Sequence, residues 1–440
     1  MGEYRKPENQ EDLNTNFEQI HPLMDATMAY YASARCLYCY DAPCIEACPS
    51  GIDIPLFIRQ IRTGNLPGAA RTIYNSNYFG HICGKVCPTE VLCEGACVYT
   101  EQDVEPVEIG ALQTYACDHA IRHDIRLYDL PEANGKNVAV IGAGPTGIAC
   151  ACELRLLGYD VDVFEAKAHP SGLALHGTAP YKITNEEVLD EVAWLQRQFG
   201  FRTHYGKRIT PPDLRKMESE YDAIFLGIGL GHTRMPPVEG TDLPGCEGAI
   251  TFIERVKLDP LSAYPGDRVV VVGGGNTAMD AASESARLGA RSVTLVYRRS
   301  RAEMNAYDFE YDLVKQAGVE PLFHYTPLRI LGEDKVTGVE LARTHIVDGK
   351  LSVMDDQRMT IPCDAVIMAT GQSKQTGYFA DLDIHVDSKG RIVVNALGQT
   401  SNQKYFAGGD AVNGGAEVVN AAAEGKIAAR GIHASLAEAE

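Results

Sequence analysis

The spacing of apolar residues changes abruptly near residue 137. Before it, apolar positions recur at helical intervals over residues 54–74 and 109–122, with Gly and Pro at the breaks and little strand pattern. After it, a continuous apolar run at 137–141 leads into a glycine turn, an amphipathic stretch and a second apolar run. The sequence therefore predicts a small helical domain followed by an α/β region.

A second strand–turn–helix–strand unit starts near residue 267. Two such units indicate two nucleotide-binding domains rather than one long sheet. Residues 321–353 predict a β-meander, and residues 365–374 predict a buried strand that turns at Gly371. Residues 404–432 predict a strand, a glycine-rich loop and a closing helix.

Acidic residues outnumber basic ones, 59 to 40, which gives a formal net charge of −19. About half of this excess lies in residues 1–135, which hold nine Lys or Arg and nineteen Asp or Glu. Such a surface repels nucleic acid and anionic membranes. No apolar run approaches the roughly 20 residues that span a bilayer, and the polar start is unlike a signal peptide. We expect a cytoplasmic protein without nucleic-acid or membrane partners.

Eight of the thirteen cysteines lie within residues 36–97. In a reducing compartment, clustered cysteines hold a metal more often than a disulfide. The first run, C-x2-C-x4-C-x3-C-P, is similar to the bacterial ferredoxin pattern with a longer middle gap, and there the last cysteine serves the other cluster. Zinc sites usually use two well-separated pairs. The spacing favours two interleaved iron–sulfur clusters; zinc and a redox-sensing thiol set remain open alternatives. The two runs are Cys36, Cys39, Cys44 and Cys48, then Cys83, Cys87, Cys93 and Cys97.

The first glycine turn has the pattern G-x-G-x-x-G at Gly142, Gly144 and Gly147. In this pattern the glycines allow a tight turn, a close approach of pyrophosphate and close packing of helix on strand. The phosphate then lies at a helix N-terminus, where free N–H groups favour it. Glu165 ends the second predicted strand, where a carboxylate can accept the ribose hydroxyls. These features predict dinucleotide binding, with a ligand-free turn of the same shape as the alternative.

The second glycine turn spans residues 273–277, and its second strand ends in Arg298 and Arg299, with Arg301 close by. Guanidinium groups bind a 2′-phosphate through paired hydrogen bonds, whereas a carboxylate would repel it. This favours NADP over NAD. A solvated basic strand end that pairs with nearby acids is the alternative.

The late motif FAGGDAVNGG, at residues 406–415, is typical of a chain that returns to complete a dinucleotide site. Asp410 is placed to accept a hydrogen bond from a polyol such as the ribityl chain of FAD. The helix starting near Glu417 would point its N-terminus at the flavin and favour the reduced, anionic ring. We therefore expect FAD on the first unit and a nicotinamide cofactor on the second, with a purely structural turn as the alternative.

Three segments carry a family resemblance: residues 35–58 (RCLYCYDAPCIEACPSGIDIPLFI), 83–97 (CGKVCPTEVLCEGAC) and 106–113 (PVEIGALQ). Over its whole length the chain resembles the glutamate-synthase small-subunit-like family. Within it, these segments resemble the N-terminal half of dihydropyrimidine dehydrogenase, which bacteria often carry as a separate subunit. The resemblance implies two [4Fe–4S] clusters in the N-terminal domain. One cluster would be bound by Cys36, Cys39, Cys44 and Cys97, and the other by Cys48, Cys87, Cys93 and, unusually, Gln113.

The same resemblance leaves Cys83 as a non-ligand, which spacing alone does not reveal. Without the resemblance, the sequence predicts that Gln113 is a surface amide on a helix. Four features depart from the family pattern. Ser171 stands where glycine is usual, HGTAP at residues 176–180 replaces a Y-G-I-P-like segment, Asn276 replaces an acid, and Asn305 stands where a second phosphate-binding arginine can lie. The implied FAD residues are Gly142, Ala143, Gly144, Pro145, Thr146, Gly147, Glu165, Ala166, Lys167, Gly172, Leu173, Lys182, Ile209, Gly409, Asp410, Glu417 and Val418. The implied NADPH residues are Gly274, Gly275, Asn276, Thr277, Arg298, Arg299, Ala369, Thr370 and Gly371.

The resemblance implies an NAD(P)H-dependent oxidoreductase subunit with FAD and two [4Fe–4S] clusters. It would pass electrons to an FMN-containing partner subunit that reduces uracil or thymine, in a hetero-oligomer. Hydride transfer to flavin needs orientation more than an acid or base, so no catalytic residue is singled out. The alternatives are the small subunit of glutamate synthase or of another oxidoreductase, a reductase without a partner, and a non-enzymatic redox sensor or cluster scaffold. The expected domains are 1–135 for the clusters, 136–250 with 365–440 for FAD, and 251–364 for NAD(P)H.

Overall fold

The computed structural model describes residues 4–347, 350–379 and 381–437, without the side chains of residues 347 and 355. The chain divides into two compact units. Unit I comprises residues 1–20, 176–181 and 231–373, and unit II comprises residues 21–175, 182–230 and 374–440. Each unit contains one parallel sheet, which confirms the predicted α/β class with two nucleotide-binding folds.

The elements alternate as the sequence pattern predicts. The helices are α1 (Gln10–Asn16), α2 (Ala26–Ala34), α3 (Pro43–Glu46), α4 (Ile54–Arg62), α5 (Leu66–Ser76), α6 (Gly80–Val86), α7 (Ile109–Arg122), α8 (Pro145–Leu156), α9 (Leu173–His176), α10 (Asn185–Phe199), α11 (Pro211–Met217), α12 (Ala249–Leu258), α13 (Asn276–Arg287), α14 (Asp308–Gln316), α15 (Asp410–Asn413) and α16 (Val418–Ala437). The strands are β1 (Asn137–Ile141), β2 (Asp160–Phe164), β3 (Arg202–His204), β4 (Ala223–Leu226), β5 (Cys246–Gly248), β6 (Arg268–Val272), β7 (Ser292–Tyr297), β8 (Glu320–Phe323), β9 (Tyr325–Gly332), β10 (Val336–Val347), β11 (Lys350–Pro362), β12 (Ala365–Met368) and β13 (Tyr405–Ala407). Short 3₁₀ helices lie at Thr89–Val91, Thr100–Gln102, Pro260–Ser262, Arg301–Glu303 and Thr376–Tyr378.

Unit I is built on a parallel sheet of order β5-β12-β6-β7-β8. The predicted meander is the antiparallel sheet of β9, β10 and β11, while β8, at the start of the same stretch, joins the parallel sheet instead. Central strands β6 and β12 are buried runs of Val, Ile and Met, as expected for a parallel sheet covered on both faces.

Two expected boundaries differ from the structure of unit I. The first residues, assigned from sequence to the cluster domain, pack here instead: Asn16 Nδ2 donates to the Arg287 carbonyl oxygen at 2.7 Å, and Arg287 Nη1 donates back to the Asn16 carbonyl oxygen at 2.6 Å. Strands β5 and β12, assigned to the FAD domain, pair with each other and with β6. We therefore propose a nicotinamide domain wider than residues 251–364, matching unit I.

Unit II joins a parallel sheet, of order β13-β4-β1-β2-β3, to the helical cysteine region. In that region α4, α5, α6 and α7 pack around fully buried side chains such as Phe57, Ile73 and Leu112. Helix α16 packs along α8 so closely that a Cβ on Gly425 would lie 2.2 Å from the Thr146 carbonyl oxygen. The glycine permits this approach and holds the closing helix against the first glycine turn.

A buried polar network connects the sheet part of unit II to its cysteine part. Glu153 on α8 accepts hydrogen bonds from the Tyr78 hydroxyl at 2.7 Å and from Arg430 Nε at 2.8 Å. From α16, Lys426 Nζ donates to the Ser76 carbonyl oxygen at 3.2 Å and lies over the Tyr78 ring. Paired and hydrogen-bonded in this way, buried charges fix a single arrangement of the helices. Among the described residues, no helix combines the length and the apolar character that a bilayer crossing requires.

Candidate functional site

Four cysteines from both runs line one cavity, the first cysteine cavity: Cys36, Cys39, Cys44 and Cys97. Apolar residues of α4 and of the segment before α7 complete its wall, and its empty volume is about 380 Å³ with the open mouth included. The structure thus brings Cys97, from the second run, to three cysteines of the first run. This is the set that the family resemblance implies for one cluster.

The second cysteine cavity, of similar volume, is lined by Cys48, Cys83, Cys87, Cys93 and Gln113. Cys48 therefore lies in a different cavity from the other three cysteines of its run. Gln113 is buried on α7, and its Nε2 donates to the Gly80 carbonyl oxygen at 2.7 Å, which leaves the amide oxygen as the group available to iron. The interpretation of Gln113 as a surface amide is therefore wrong. Cys83 also lines this cavity, so the prediction that it is a non-ligand remains a prediction.

Each cavity is lined by at least three cysteines around an empty volume of about 380 Å³, which fits an iron–sulfur cluster. Burial raises the pKa of the Cys44 thiol to about 12 and raises the pKa values of Cys87 and Cys93 well above the usual range; for Cys87 a hydrogen bond with Cys83 contributes most. Thiolates at such positions need positive charge beside them, and bound iron supplies it.

The second cysteine cavity extends to the flavin side of unit II. Val419, in the first turn of α16, lines it, and the Ser50 hydroxyl, near Cys48, donates to the Val419 carbonyl oxygen at 3.4 Å. The residue before Val419 ends the predicted flavin loop, 409–418. One short segment of chain therefore contacts both the second cysteine cavity and the predicted flavin site.

The first glycine turn has the three properties that pyrophosphate binding requires. Gly142 has φ +101°, and a Cβ there would lie 2.4 Å from the Gly227 carbonyl oxygen. A Cβ on Gly147 would lie 1.9 Å from the Gly142 carbonyl oxygen, whereas a Cβ on Gly144 would meet nothing within 4 Å. No side chain caps the N-terminus of α8, whose first N–H groups stay available to a phosphate.

Glu165 follows β2 and is fixed by backbone donors. Its carboxylate accepts hydrogen bonds from the Ala143 N–H and the Lys167 N–H, both at 2.8 Å. Ser171, where the family uses glycine, has φ +76°, and its N–H donates to the Ala143 carbonyl oxygen at 2.7 Å. Gly172 lies next to Gly144, since a Cβ on Gly172 would lie only 3.2 Å from the Gly144 Cα. The structure therefore places two predicted FAD residues, Glu165 and Gly172, beside the turn.

The remaining predicted FAD residues also lie in unit II. Asp410 starts α15, and its carboxylate accepts a hydrogen bond from the Ala416 N–H at 3.3 Å; burial raises its pKa. Glu417 lies one residue before α16, as predicted. Glu424 was not predicted: it accepts from the Gly409 N–H at 2.6 Å and so holds the flavin loop. The others are distributed as follows: Pro145 and Thr146 in the first turn of α8, Ala166 exposed after β2, Leu173 starting α9, and Lys182 and Ile209 buried.

The second glycine turn lies in unit I at the N-terminus of α13. Gly273 and Gly274 are closely packed, since a Cβ would meet the Ala369 carbonyl oxygen at 2.5 Å on Gly273 and the Tyr297 ring at 2.3 Å on Gly274. A Cβ on Gly275 would meet nothing within 4 Å, which leaves room for a phosphate. Asn276 and Thr277 form the first turn of α13. The Asn276 side chain accepts from the Tyr307 N–H at 3.1 Å.

Arg298 and Arg299 follow β7 at the carboxyl edge of the same sheet. Arg298 is exposed, while Arg299 Nε is buried without a hydrogen-bond partner among the described residues. On the other side of the turn, Gly371 has φ +89°, and Thr370 Oγ1 donates to the Arg234 carbonyl oxygen at 2.6 Å. A buried guanidinium nitrogen without a partner fits an anion bound at this edge.

Comparisons with known proteins identify the family. A sequence profile described as pyridine nucleotide-disulphide oxidoreductase matches residues 136–425, and one described as dihydropyrimidine dehydrogenase domain II, 4Fe-4S cluster, matches residues 13–125. The chain belongs to the pyridine nucleotide-disulphide oxidoreductase family. In this family FAD and NAD(P)H are the cofactors, and the N-terminal match adds a 4Fe-4S domain. These matches confirm the predicted cofactors and an NAD(P)H-dependent oxidoreductase.

Two relatives match nearly the whole chain. The chain is 34% identical over 445 residues to the glutamate synthase [NADPH] small chain of Escherichia coli strain K12, covering 94% of this chain and 93% of that one. It is 31% identical over 420 residues to the NAD-dependent dihydropyrimidine dehydrogenase subunit PreT of the same strain, covering 94% and 96%. The chain is thus an electron-transfer subunit of this flavin and iron–sulfur type, which confirms the resemblance.

A solved structure supports the fold independently. FprA from Mycobacterium tuberculosis in complex with NADPH superposes with a TM-score of 0.58 at 20% identity, over 69% of this chain and 85% of that one. At this identity the likeness concerns the fold of the nucleotide-binding part alone.

Proposed function

We propose that this chain is the electron-input subunit of a hetero-oligomeric dihydropyrimidine dehydrogenase. The first glycine turn would hold FAD, which would supply hydride acceptance from NAD(P)H and single-electron release, and the two cysteine cavities would hold [4Fe–4S] clusters on the way to an FMN-containing partner subunit that reduces uracil or thymine. One observation carries the electron-input role: two separate cysteine cavities lie in the same compact unit as the flavin turn, and one of them contacts the flavin helix through Val419. The match of residues 13–125 to dihydropyrimidine dehydrogenase domain II supports the choice of partner reaction.

The ligand sets follow from the two cavities. We assign Cys36, Cys39, Cys44 and Cys97 to the cluster in the first cysteine cavity. Cys48, Cys87, Cys93 and Gln113 hold the cluster in the second cysteine cavity. Because the second cavity touches the start of α16, its cluster receives electrons from the flavin side, and the first cavity lies later in the path.

The surroundings of the first cysteine cavity support its role as the exit. Leu37 lines the cavity and is 58% exposed, and Tyr40, in the same cysteine loop, is 99% exposed. Exposed apolar side chains of this kind mark protein interfaces. A partner subunit covering them would come close to the first cluster, as single-electron transfer requires.

In unit I, the second glycine turn and the arginines after β7 bind the nicotinamide dinucleotide. Gly275 leaves space for the pyrophosphate at the N-terminus of α13, and Arg299, a half-buried cation whose Nε is buried, is available to a 2′-phosphate. This favours NADPH, with NADH as the weaker donor. The relatives use different donors, since one is named for NADPH and the other for NAD.

A second candidate is the small subunit of a glutamate synthase. It is favoured by one observation: the chain is 34% identical to the Escherichia coli glutamate synthase small chain against 31% for PreT. The two candidates share the cofactors and the electron path, and differ only in the subunit that accepts the electrons.

The deciding experiment mixes the purified chain with an FMN-containing dihydropyrimidine dehydrogenase subunit and uracil, or with a glutamate synthase large subunit, 2-oxoglutarate and glutamine. NADPH oxidation and product formation are measured in each mixture. We expect turnover with uracil; turnover only in the second mixture would show that the chain serves glutamate synthase.

A pair of variants tests the electron path itself. Cys36→Ser should abolish partner-dependent turnover while NADPH still bleaches the flavin, because the path is cut beyond the flavin. Cys363→Ser, at a buried cysteine of unit I, is the matched control and should keep both activities. Full turnover by Cys36→Ser would contradict a path through the first cysteine cavity.

A further inference from the structure

One polar side chain in the wall of the second cysteine cavity has no role in the ligand set. Asn77 caps the C-terminus of α5 and is completely buried. It lines the cavity together with Cys48, Cys87 and Cys93. Sequence spacing gave no signal for it, because it lies outside both cysteine runs.

Hydrogen bonds fix the orientation of the Asn77 amide. Its backbone N–H donates to the Ile73 carbonyl oxygen at 2.9 Å, which ends the helix. Its Oδ1 accepts from the Phe79 N–H at 3.0 Å, and the Nδ2 group therefore points away from that contact. Nδ2 is buried and has no hydrogen-bond partner within the described parts of the chain.

A buried donor without a partner destabilises a protein, and native structures rarely keep one unless a bound group accepts the bond. The acceptors that a cluster would place in this cavity are its sulfide and thiolate sulfurs, which carry negative charge. An N–H donor beside them stabilises the reduced, more negative cluster more than the oxidised one.

We propose that Asn77 donates a hydrogen bond from Nδ2 to a sulfur of the cluster in the second cysteine cavity and thereby raises the reduction potential of that cluster. This inference rests on the proposed placement of a cluster there. Since Val419 of the flavin helix lines the same cavity, Asn77 tunes the cluster that receives electrons from the flavin side. Asn77 is a positioning and tuning residue, since it holds no iron.

The test compares three variants by redox titration of the purified holoprotein, followed by electron paramagnetic resonance. Asn77→Asp preserves the shape and the acceptor for the Phe79 N–H but replaces the amide donor by a carboxylate, whose charge lowers the potential as well. Asn77→Ala removes the donor without adding charge and therefore decides the question. Asn65→Ala is the control, because Asn65 caps the other end of α5, where it accepts from the Gly68 N–H at 3.0 Å and lines neither cavity.

With the iron content unchanged, we expect one cluster to become about five- to tenfold harder to reduce in the Asn77 variants, as loss of one hydrogen bond predicts. This corresponds to a midpoint about 40–60 mV lower for a one-electron couple. The other cluster, and both clusters of Asn65→Ala, should keep their potentials. Unchanged potentials in both Asn77 variants would refute the proposal, whereas a wild-type protein without two clusters would instead refute the proposed function.

Discussion

Two glycines of the first turn, three residues apart, should fail in opposite ways when a methyl group is added. A Cβ on Gly147 would lie 1.9 Å from the Gly142 carbonyl oxygen, far inside van der Waals contact. The oxygen belongs to the backbone and the Cβ is fixed directly to it, so neither can turn aside and α8 would have to move away from β1. Overpacking of this kind costs about 1–3 kcal/mol or more. The gain in helix propensity on replacing Gly by Ala, about 1 kcal/mol, does not offset it.

Gly144 is different because a Cβ there would meet nothing within 4 Å and its φ of −72° suits any residue. Gly144→Ala should therefore change the stability of the FAD-free protein by less than about 0.5 kcal/mol. The empty space is where the pyrophosphate approaches the backbone. We expect FAD to bind about 100-fold more weakly, which removes about 2.7 kcal/mol of the stabilisation that excess FAD provides.

The assay is thermal unfolding of each variant with and without FAD, together with FAD titration. Gly147→Ala should lower the melting temperature in both states, and Gly144→Ala only in the FAD-loaded state. Gly377→Ala is the control, since its Cβ would also meet nothing within 4 Å and the residue lies outside the turn. If Gly144→Ala binds FAD like the wild type, or unfolds without FAD as early as Gly147→Ala, the assignment of roles is wrong.

Three further predictions concern the clusters, the nicotinamide site and the sheet. Cys87→Ser should leave about four irons per chain and Cys83→Ser about eight, by iron analysis; equal losses would give Cys83 a ligand role. Arg299→Ala should raise the KM for NADPH about tenfold or more while the KM for NADH stays constant, and parallel changes would argue against a 2′-phosphate contact. Hydrogen bonds from Arg202, then from His204, lower the pKa of Asp162 to about 2, so this carboxylate stabilises the fold above its unfolded pKa of about 3.9. Asp162→Asn should lower the free energy of unfolding at pH 7 by about 1 kcal/mol after solvent screening. The difference from the wild type should narrow below about pH 4 and vanish only below the folded pKa of about 2; a difference independent of pH would contradict this.

The nucleotide-binding elements could be predicted from the sequence because their signals are local. Each glycine turn combines a buried strand, a turn and a helix within about 30 residues, and the structure has β1, β2 and α8 where the pattern places them. The closing helix was expected near Glu417 and starts at Val418. These features follow from the conformational needs of a few neighbouring residues.

Contacts between residues that are far apart in the sequence could not be predicted in this way. Spacing indicated that the last cysteine of the first run, Cys48, serves the other cluster, but the resemblance was needed to name its companions. The structure shows the cause, since the chain after α3 carries Cys48 to α6 and α7. The roles of Glu424 and Asn77 could not be predicted from the sequence. Glu424 lies on α16 and Asn77 at the end of α5, and each role depends on contacts with residues that are distant in the sequence. The association of residues 4–20 with unit I was missed for the same reason.

The contacts within unit II explain how one chain can hold the sites for a flavin and two clusters at fixed positions relative to one another. Tyr78, which follows Asn77 along the chain, donates to Glu153 on the helix that begins at the pyrophosphate turn. Lys426 and Arg430 extend the same network to α16, whose first turn lines the second cysteine cavity. Electron transfer depends steeply on distance, so this network between the helices, with Glu153 and Lys426 buried and Arg430 exposed, serves function as well as stability. The tuning donor, the flavin turn and the cluster cavity are thus held by one polar network.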